Sequence, residues 1–155
     1  MKDLPETVAE FLRGSRFAVA GVSRQAAQPA NAIFRKLVAS GRETYPVNPN
    51  ATEVEGVKCY PDVRSLPGPV HGVVIATHPD VAIDVVSQCA EARVGHVWMH
   101  RSFGQGSVSA EAVRACERAG IVCIEGGCPL MYCDPVDIGH RCMRWWLRRR
   151  GRVPG

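Results

Sequence analysis

The chain has 155 residues, 46% hydrophobic and 22% charged, with a formal charge of +4. That size fits one domain with a core large enough to need neither metal nor disulfide, and the charged fraction excludes a disordered chain. No apolar run approaches the ~18 residues of a membrane span, and Met1-Lys2-Asp3-Leu4-Pro5-Glu6 has no signal-peptide core, so a cytoplasmic protein is expected.

The elements alternate along the chain. Leu4 to Arg13 reads as a short helix with Val8, Phe11 and Leu12 on its apolar side. Phe17 to Val22 is a short apolar run of the kind buried in parallel sheets. Asn31 is placed to cap a helix carrying Ile33, Phe34, Leu37 and Val38, which Gly41 ends. Glu43 to Val47 is a second strand, cut off by Asn48-Pro49-Asn50. Val54 to Gly68 is turn-rich, with at most one short helix after Pro61. Val70 to Ala76 is the most hydrophobic strand, and Pro79 opens a helix with Val81, Ile83, Val85, Val86 and Cys89. His96 to His100 is a further strand. Ser107 or Ser109 caps a helix to Ala119, stopped by Gly120. Ile121 to Glu125 is the last strand, and Asp134-Pro135 opens a helix through Arg149.

Five short strands separated by helices predict an α/β fold: a doubly wound, parallel five-stranded sheet in three α/β/α layers, covering 1–155 as one domain. Ligands of such sheets lie beyond the carboxyl ends of the strands, at the switch in strand order. The loops 21–30, 46–50, 76–79, 100–107 and 125–133 are therefore the places to search.

The first of these, Gly21-Val22-Ser23-Arg24, offers a sharp turn, a hydroxyl, a guanidinium and a helix start, the ingredients of a phosphate corner. It is not G-x-G-x-x-G, since Ser23 and Ala26 stand at two of the three glycine positions. The second strand ends in Pro46-Val47-Asn48-Pro49, where a NAD site prefers an acid; Asn48 makes a neutral shelf suited to adenosine, or simply a stiff turn. In Thr77-His78-Pro79, His78 either meets a ligand or terminates the strand. His100 is the histidine best placed for general-base work, with a structural role as the alternative. Cys128 before Pro129 reads as a thiol at a helix start with a lowered pKa, open to a mixed disulfide with a ligand thiol, or as a packed bystander.

Seven cysteines without an export signal indicate reduced thiols, and the spacing Cys128-x4-Cys133 is a poor match to zinc ligation, so no metal site is expected. Six arginines and no acid fall in 141–155, leaving thirteen basic against fifteen acidic residues elsewhere. The charge belongs to a C-terminal Arg-rich helix, whose cations suit its own dipole more than a nucleic acid.

Val19-Ala20-Gly21-Val22-Ser23-Arg24, Pro46-Val47-Asn48-Pro49, Gly56-x3-Tyr60, Val97-Trp98 and Gly126-Gly127-Cys128-Pro129 fall in order along the chain. Their pattern resembles the small bacterial CoA-binding proteins, similar to the N-terminal Rossmann-like domain of the succinyl-CoA synthetase alpha subunit. The resemblance implies a coenzyme A or acyl-CoA site on the carboxyl edge of the sheet. Gly21, Val22, Ser23 and Arg24 match its phosphate loop, Pro46, Val47, Asn48 and Pro49 the turn by the adenosine, and Thr77, His78 and Pro79 the far wall. The chain departs from the pattern at His100, where many relatives carry Gln, and at Ala26-Ala27-Gln28, which lacks their charged residues. The synthetase's ligase activity needs a histidine on a separate domain. The expectation is therefore non-catalytic binding of a small-molecule nucleotide ligand, as a homo-oligomer or part of a larger enzyme complex. An NAD(P)-dependent oxidoreductase on the same fold is the alternative.

Overall fold

The computed structural model describes residues 4–154. In chain order the elements are α1 (Glu6–Leu12), β1 (Arg16–Ala20), α2 (Pro29–Ala39), β2 (Glu43–Val47), β3 (Glu53–Val54), β4 (Val57–Lys58), β5 (Gly72–Ile75), α3 (Pro79–Glu91), β6 (His96–Met99), α4 (Ala110–Ala119), β7 (Val122–Glu125) and α5 (Ile138–Arg149). Two single 3-10 turns, Val63–Ser65 and Pro129–Met131, complete the chain.

Five strands pair in parallel in the order β2-β1-β5-β6-β7. The alternation of side chains along each strand divides the core in two. Val19, Val74, Trp98 and Ile124 join Phe11 of α1, Ile33 of α2 and Leu147 of α5. Ala18, Ala20, Val73, Ile75, Val97 and Met99 join Val85 of α3 and Cys116 of α4. This is the doubly wound three-layer fold that the alternating elements predict.

Local boundaries shift for identifiable reasons. β1 stops at Ala20 rather than Val22 because Gly21 turns at φ 102. Asn31 does not cap α2: Pro29 takes the first helical position, Gln28 precedes it, and Asn31 sits in the first turn with its amide free to reach elsewhere. α5 begins at Ile138, not at Asp134-Pro135, because Asp137 accepts from the His140 backbone N–H and makes the cap. The β3–β4 hairpin, two residues a side, escapes any periodicity test. Where the sequence permits Ser107 or Ser109 as the cap of α4, Ser109 takes the role, and Gly120 ends the helix at φ 69.

Candidate functional site

β1 lies between β2 and β5 in the sheet. The chain leaves β1 toward α2 on one face and leaves β5 toward α3 on the other, since these helices bury into opposite halves of the core. A crevice opens between those two departures, at the carboxyl ends of β1 and β5.

Gly21 forms its floor. A side-chain carbon there would stand 2.3 Å from the Ala76 carbonyl oxygen and 3.3 Å from Thr77 Cγ2, so the two loops meet only because position 21 has none. The Gly21 N–H donates to the Val47 carbonyl at 3.0 Å, tying in β2 as well. Beyond it, Ser23 Oγ accepts from the Gln25 N–H at 3.0 Å, while the backbone N–H groups of Arg24, Ala26 and Ala27 have no acceptor among the described residues. Arg24 is exposed and forms no ion pair among those residues. Free backbone donors, a helix start and an uncommitted guanidinium together suit an anion.

Asn31 holds this loop in shape. It is 1% exposed; its Oδ1 accepts from the Ser23 N–H at 2.9 Å, and its Nδ2 donates to the Ser23 carbonyl at 2.7 Å and to Glu55 Oε1 at 2.8 Å. Glu55, at the turn of the β3–β4 hairpin, also takes Arg35 Nη1 at 2.6 Å. Neither residue stands out in the sequence. Asn31 looks like a cap there, and Glu55 lies in a stretch with no pattern.

The second turn is built more as a bracket than as an open shelf. Asn48 Nδ2 donates to the Val22 carbonyl at 2.9 Å, and its Oδ1 accepts from the Asn50 N–H at 2.8 Å. Pro46 and Val47 are buried strand residues whose carbonyls take the Tyr60 and Gly21 N–H groups. The exposed Pro49 is the part of this turn that faces outward.

On the far wall, Thr77 accepts at its carbonyl from Ser107 Oγ at 2.6 Å, which pins the 100–107 loop to the end of β5. His78 caps α3 through Nδ1, lies 3.2 Å from the Asp80 carboxylate and is 71% exposed in its side chain. Gly21, Asn48 and Thr77 are thus brought together, with Arg24, Pro49 and His78 at the rim.

His100 and Cys128 lie deeper, under the ends of β6 and β7. Ser102 lies beside the first of them: its hydroxyl is 3.3 Å from His100 Nε2. Burial pulls the His100 imidazole down to about 4, so it is neutral at physiological pH and a poor general base. Of the two readings of Cys128, an acidified thiol and a packed bystander, burial favours the second by pushing the thiol up to about 12. Cys128 is 2% exposed, and desolvation outweighs what a three-residue 3-10 turn supplies. A mixed disulfide at Cys128 is disfavoured on the same grounds.

The His100 shift has a measurable consequence. Its folded pKa lies below the unfolded 6.5, so the unfolded chain binds more protons between the two values. Stability therefore falls as pH drops from 6.5 toward about 4, by up to about 3 kcal/mol in all. Urea unfolding of the wild type and His100→Gln across that window checks it; equal slopes for the two would refute the assignment.

The segment after α5 folds back on this end of the sheet, which no sequence signal indicates. Val153 is buried, Tyr132 Oη donates to the Pro154 carbonyl at 3.2 Å, and Arg152 Nη2 donates to the Gly104 carbonyl at 2.6 Å. Among the described residues no cluster of three or more His, Cys, Asp or Glu could hold a metal, and no helix is long and apolar enough to cross a membrane.

Residues 15–134 match the model of a family described as a CoA binding domain. The chain is 34% identical over 101 residues to the ADP-forming acetate–CoA ligase II of Archaeoglobus fulgidus, covering 63% of this chain and 15% of that one. A hypothetical protein from Pyrococcus horikoshii superposes with a TM-score of 0.73 at 26% identity, covering 83% of this chain and 93% of the other. The apo dinucleotide-forming acetyl-coenzyme A synthetase 1 of Ca. Korarchaeum cryptofilum does so with a TM-score of 0.64 at 30% identity, over 72% of this chain and 26% of that one. The chain spans between 15% and 21% of the length of the curated relatives it matches.

Proposed function

The chain belongs to the CoA-binding domain family, and from that premise we propose that it holds coenzyme A, free or acylated, across the carboxyl edge of the sheet as one binding domain with α5 appended. The phosphates sit against the free N–H groups of the 24–27 loop and Arg24. The adenosine lies by the Asn48-Pro49 turn, and the pantetheine arm runs past Thr77, His78 and Pro79 toward the 100–107 loop. The observation that carries this reading is the phosphate corner. It combines an uncommitted cation, free backbone donors and a helix start above a floor that only glycine permits.

Binding rather than catalysis is favoured because burial leaves His100 a weak base and holds the Cys128 thiol protonated, and these are the two groups best suited to chemistry. The reactions named for the longer relatives belong to chains of which this one spans a fifth or so. CoA binding is the part of those activities that we assign to this chain, alone, paired with itself or docked to a larger enzyme. A cytoplasmic setting agrees with seven unpaired cysteines.

Native mass spectrometry of the purified protein, followed by thermal shifts with CoA, acetyl-CoA, NAD and NADP, tests the reading. A shift confined to the CoA compounds is expected; a shift with the nicotinamide dinucleotides alone would replace it with the oxidoreductase alternative. Arg24→Ala is expected to weaken CoA roughly 10- to 100-fold, the loss of charge-assisted hydrogen bonds to phosphate of about 1.5–3 kcal/mol. Its melting temperature should match the wild type, because Arg24 is exposed and bonded to nothing else among the described residues. Unchanged affinity would move the phosphates elsewhere.

A further inference from the structure

α5 lies beyond the span matched by the family, and one side of it is left open. Leu147 is fully buried and Met143 packs beside it, so that side holds the helix to the domain. At 100° per residue, Ile138, Cys142, Trp145 and Arg149 fall on the opposite side. Ile138 is 78% and Trp145 59% exposed, and the half-exposed Trp146 stands 6.2 Å from the ring of exposed Phe103. The guanidinium of Arg149 lies 4.4 Å from the Trp145 ring centre and that of Arg150 4.0 Å from Trp146. Arg141 and Arg148 flank the ridge on the groove of about 1080 Å³ beside it, and among the described residues no carboxylate lines that groove. Of the two acids just before α5, Asp137 is taken up by His140 at 2.5 Å and Asp134 is exposed.

We infer that this face of α5 rests on an anionic lipid surface. An isoleucine and an indole along one ridge, with the second indole at its side, fit the boundary between headgroups and acyl chains, and the flanking guanidinium groups fit the phosphates above it. A second copy of the chain presenting the same face would set arginines against arginines. Because the most apolar side of α5 is spent on its own domain, the apolar area left for the bilayer is small. Attachment is peripheral, reversible and dependent on negative lipid charge.

The test is sedimentation of the full chain with vesicles of phosphatidylcholine, with and without about one-third phosphatidylglycerol, at low salt. Binding is expected only with the anionic vesicles, weakening with added salt. Tryptophan emission should shift blue on binding, a signal that comes from Trp145 and Trp146 because Trp98 is fully buried. Arg141→Gln with Arg148→Gln lowers partitioning on the order of thirtyfold. Trp145→Ala removes most of the spectral shift and weakens binding roughly tenfold. Both variants should keep the wild-type melting temperature, since all three side chains are exposed. No binding to anionic vesicles would overturn the inference, as would binding that the arginine pair or Trp145 does not alter. Saturable capture by polyglutamate without capture by vesicles would overturn it too, in favour of an acidic protein partner.

Discussion

Gly21→Ala is expected to abolish CoA binding and to destabilise the fold by about 2–5 kcal/mol. Two costs combine. A residue with a side chain at φ 102 sits outside the regions such residues occupy, at about 1–2 kcal/mol. The added carbon would also stand 2.3 Å from the Ala76 carbonyl oxygen, a backbone atom that cannot rotate away. Relieving that clash means parting the β1 and β5 loops, an overpacking cost of about 1–3 kcal/mol. The crevice is the space those loops define, so its geometry goes with the strain. Gly41 separates the two costs: it has φ 82 but nothing within 4 Å of the carbon alanine would add. Gly41→Ala should therefore lose about 1–2 kcal/mol in urea unfolding and keep its CoA thermal shift. Equal losses for the two variants would show that backbone strain alone matters at position 21, and retained binding by Gly21→Ala would remove the loop contact from the site.

What could be read without coordinates follows how local each feature is. β5 and β6 are short apolar runs buried on both faces, and such runs announce themselves by composition. Gly120 and Ser109 carry their own helix-stop and helix-start chemistry and act as expected. The strand-and-helix order then leaves few topologies, and the switch point follows from them. Burial is different. Cys128 before a proline leaves an activated thiol and a packed one both open, and the packing of Met131, Tyr132 and Leu147 around that end of the sheet decides for the second. The return of Arg152, Val153 and Pro154 onto the β6 and β7 loops joins residues about fifty positions apart, through bonds that polar tails of any sequence could make.

Asn31 is the sharpest case, and it carries the second large effect. As a residue just inside Pro29 it has no capping work, which frees its amide to reach back eight positions to Ser23. Asn31→Ala removes the acceptor for the Ser23 N–H, the donor for the Ser23 carbonyl and one of the two donors to Glu55 Oε1. Leaving the two partly buried backbone groups of Ser23 unpaired costs about 1–3 kcal/mol each, so a loss of roughly 2–6 kcal/mol is expected, with CoA affinity falling though Arg24 is untouched. Asn31→Asp is the more telling substitution. It keeps the acceptor for Ser23 but sets a carboxylate against the Ser23 carbonyl and Glu55, with Arg35 as the only cation bonded to that acid among the described residues. Such an aspartate has its folded pKa raised above the usual ~3.9, so the variant is least impaired in acid and loses stability as pH rises through that folded value. Glu55→Gln brings the opposite expectation: an amide oxygen still accepts from Asn31, and only the half-exposed Arg35 pair is lost, worth about 0–1 kcal/mol. Unfolding midpoints of the three variants across pH, with CoA affinity beside them, separate the roles. Wild-type affinity and stability in Asn31→Ala would mean that α2 alone shapes the loop and the buried amide is a spectator.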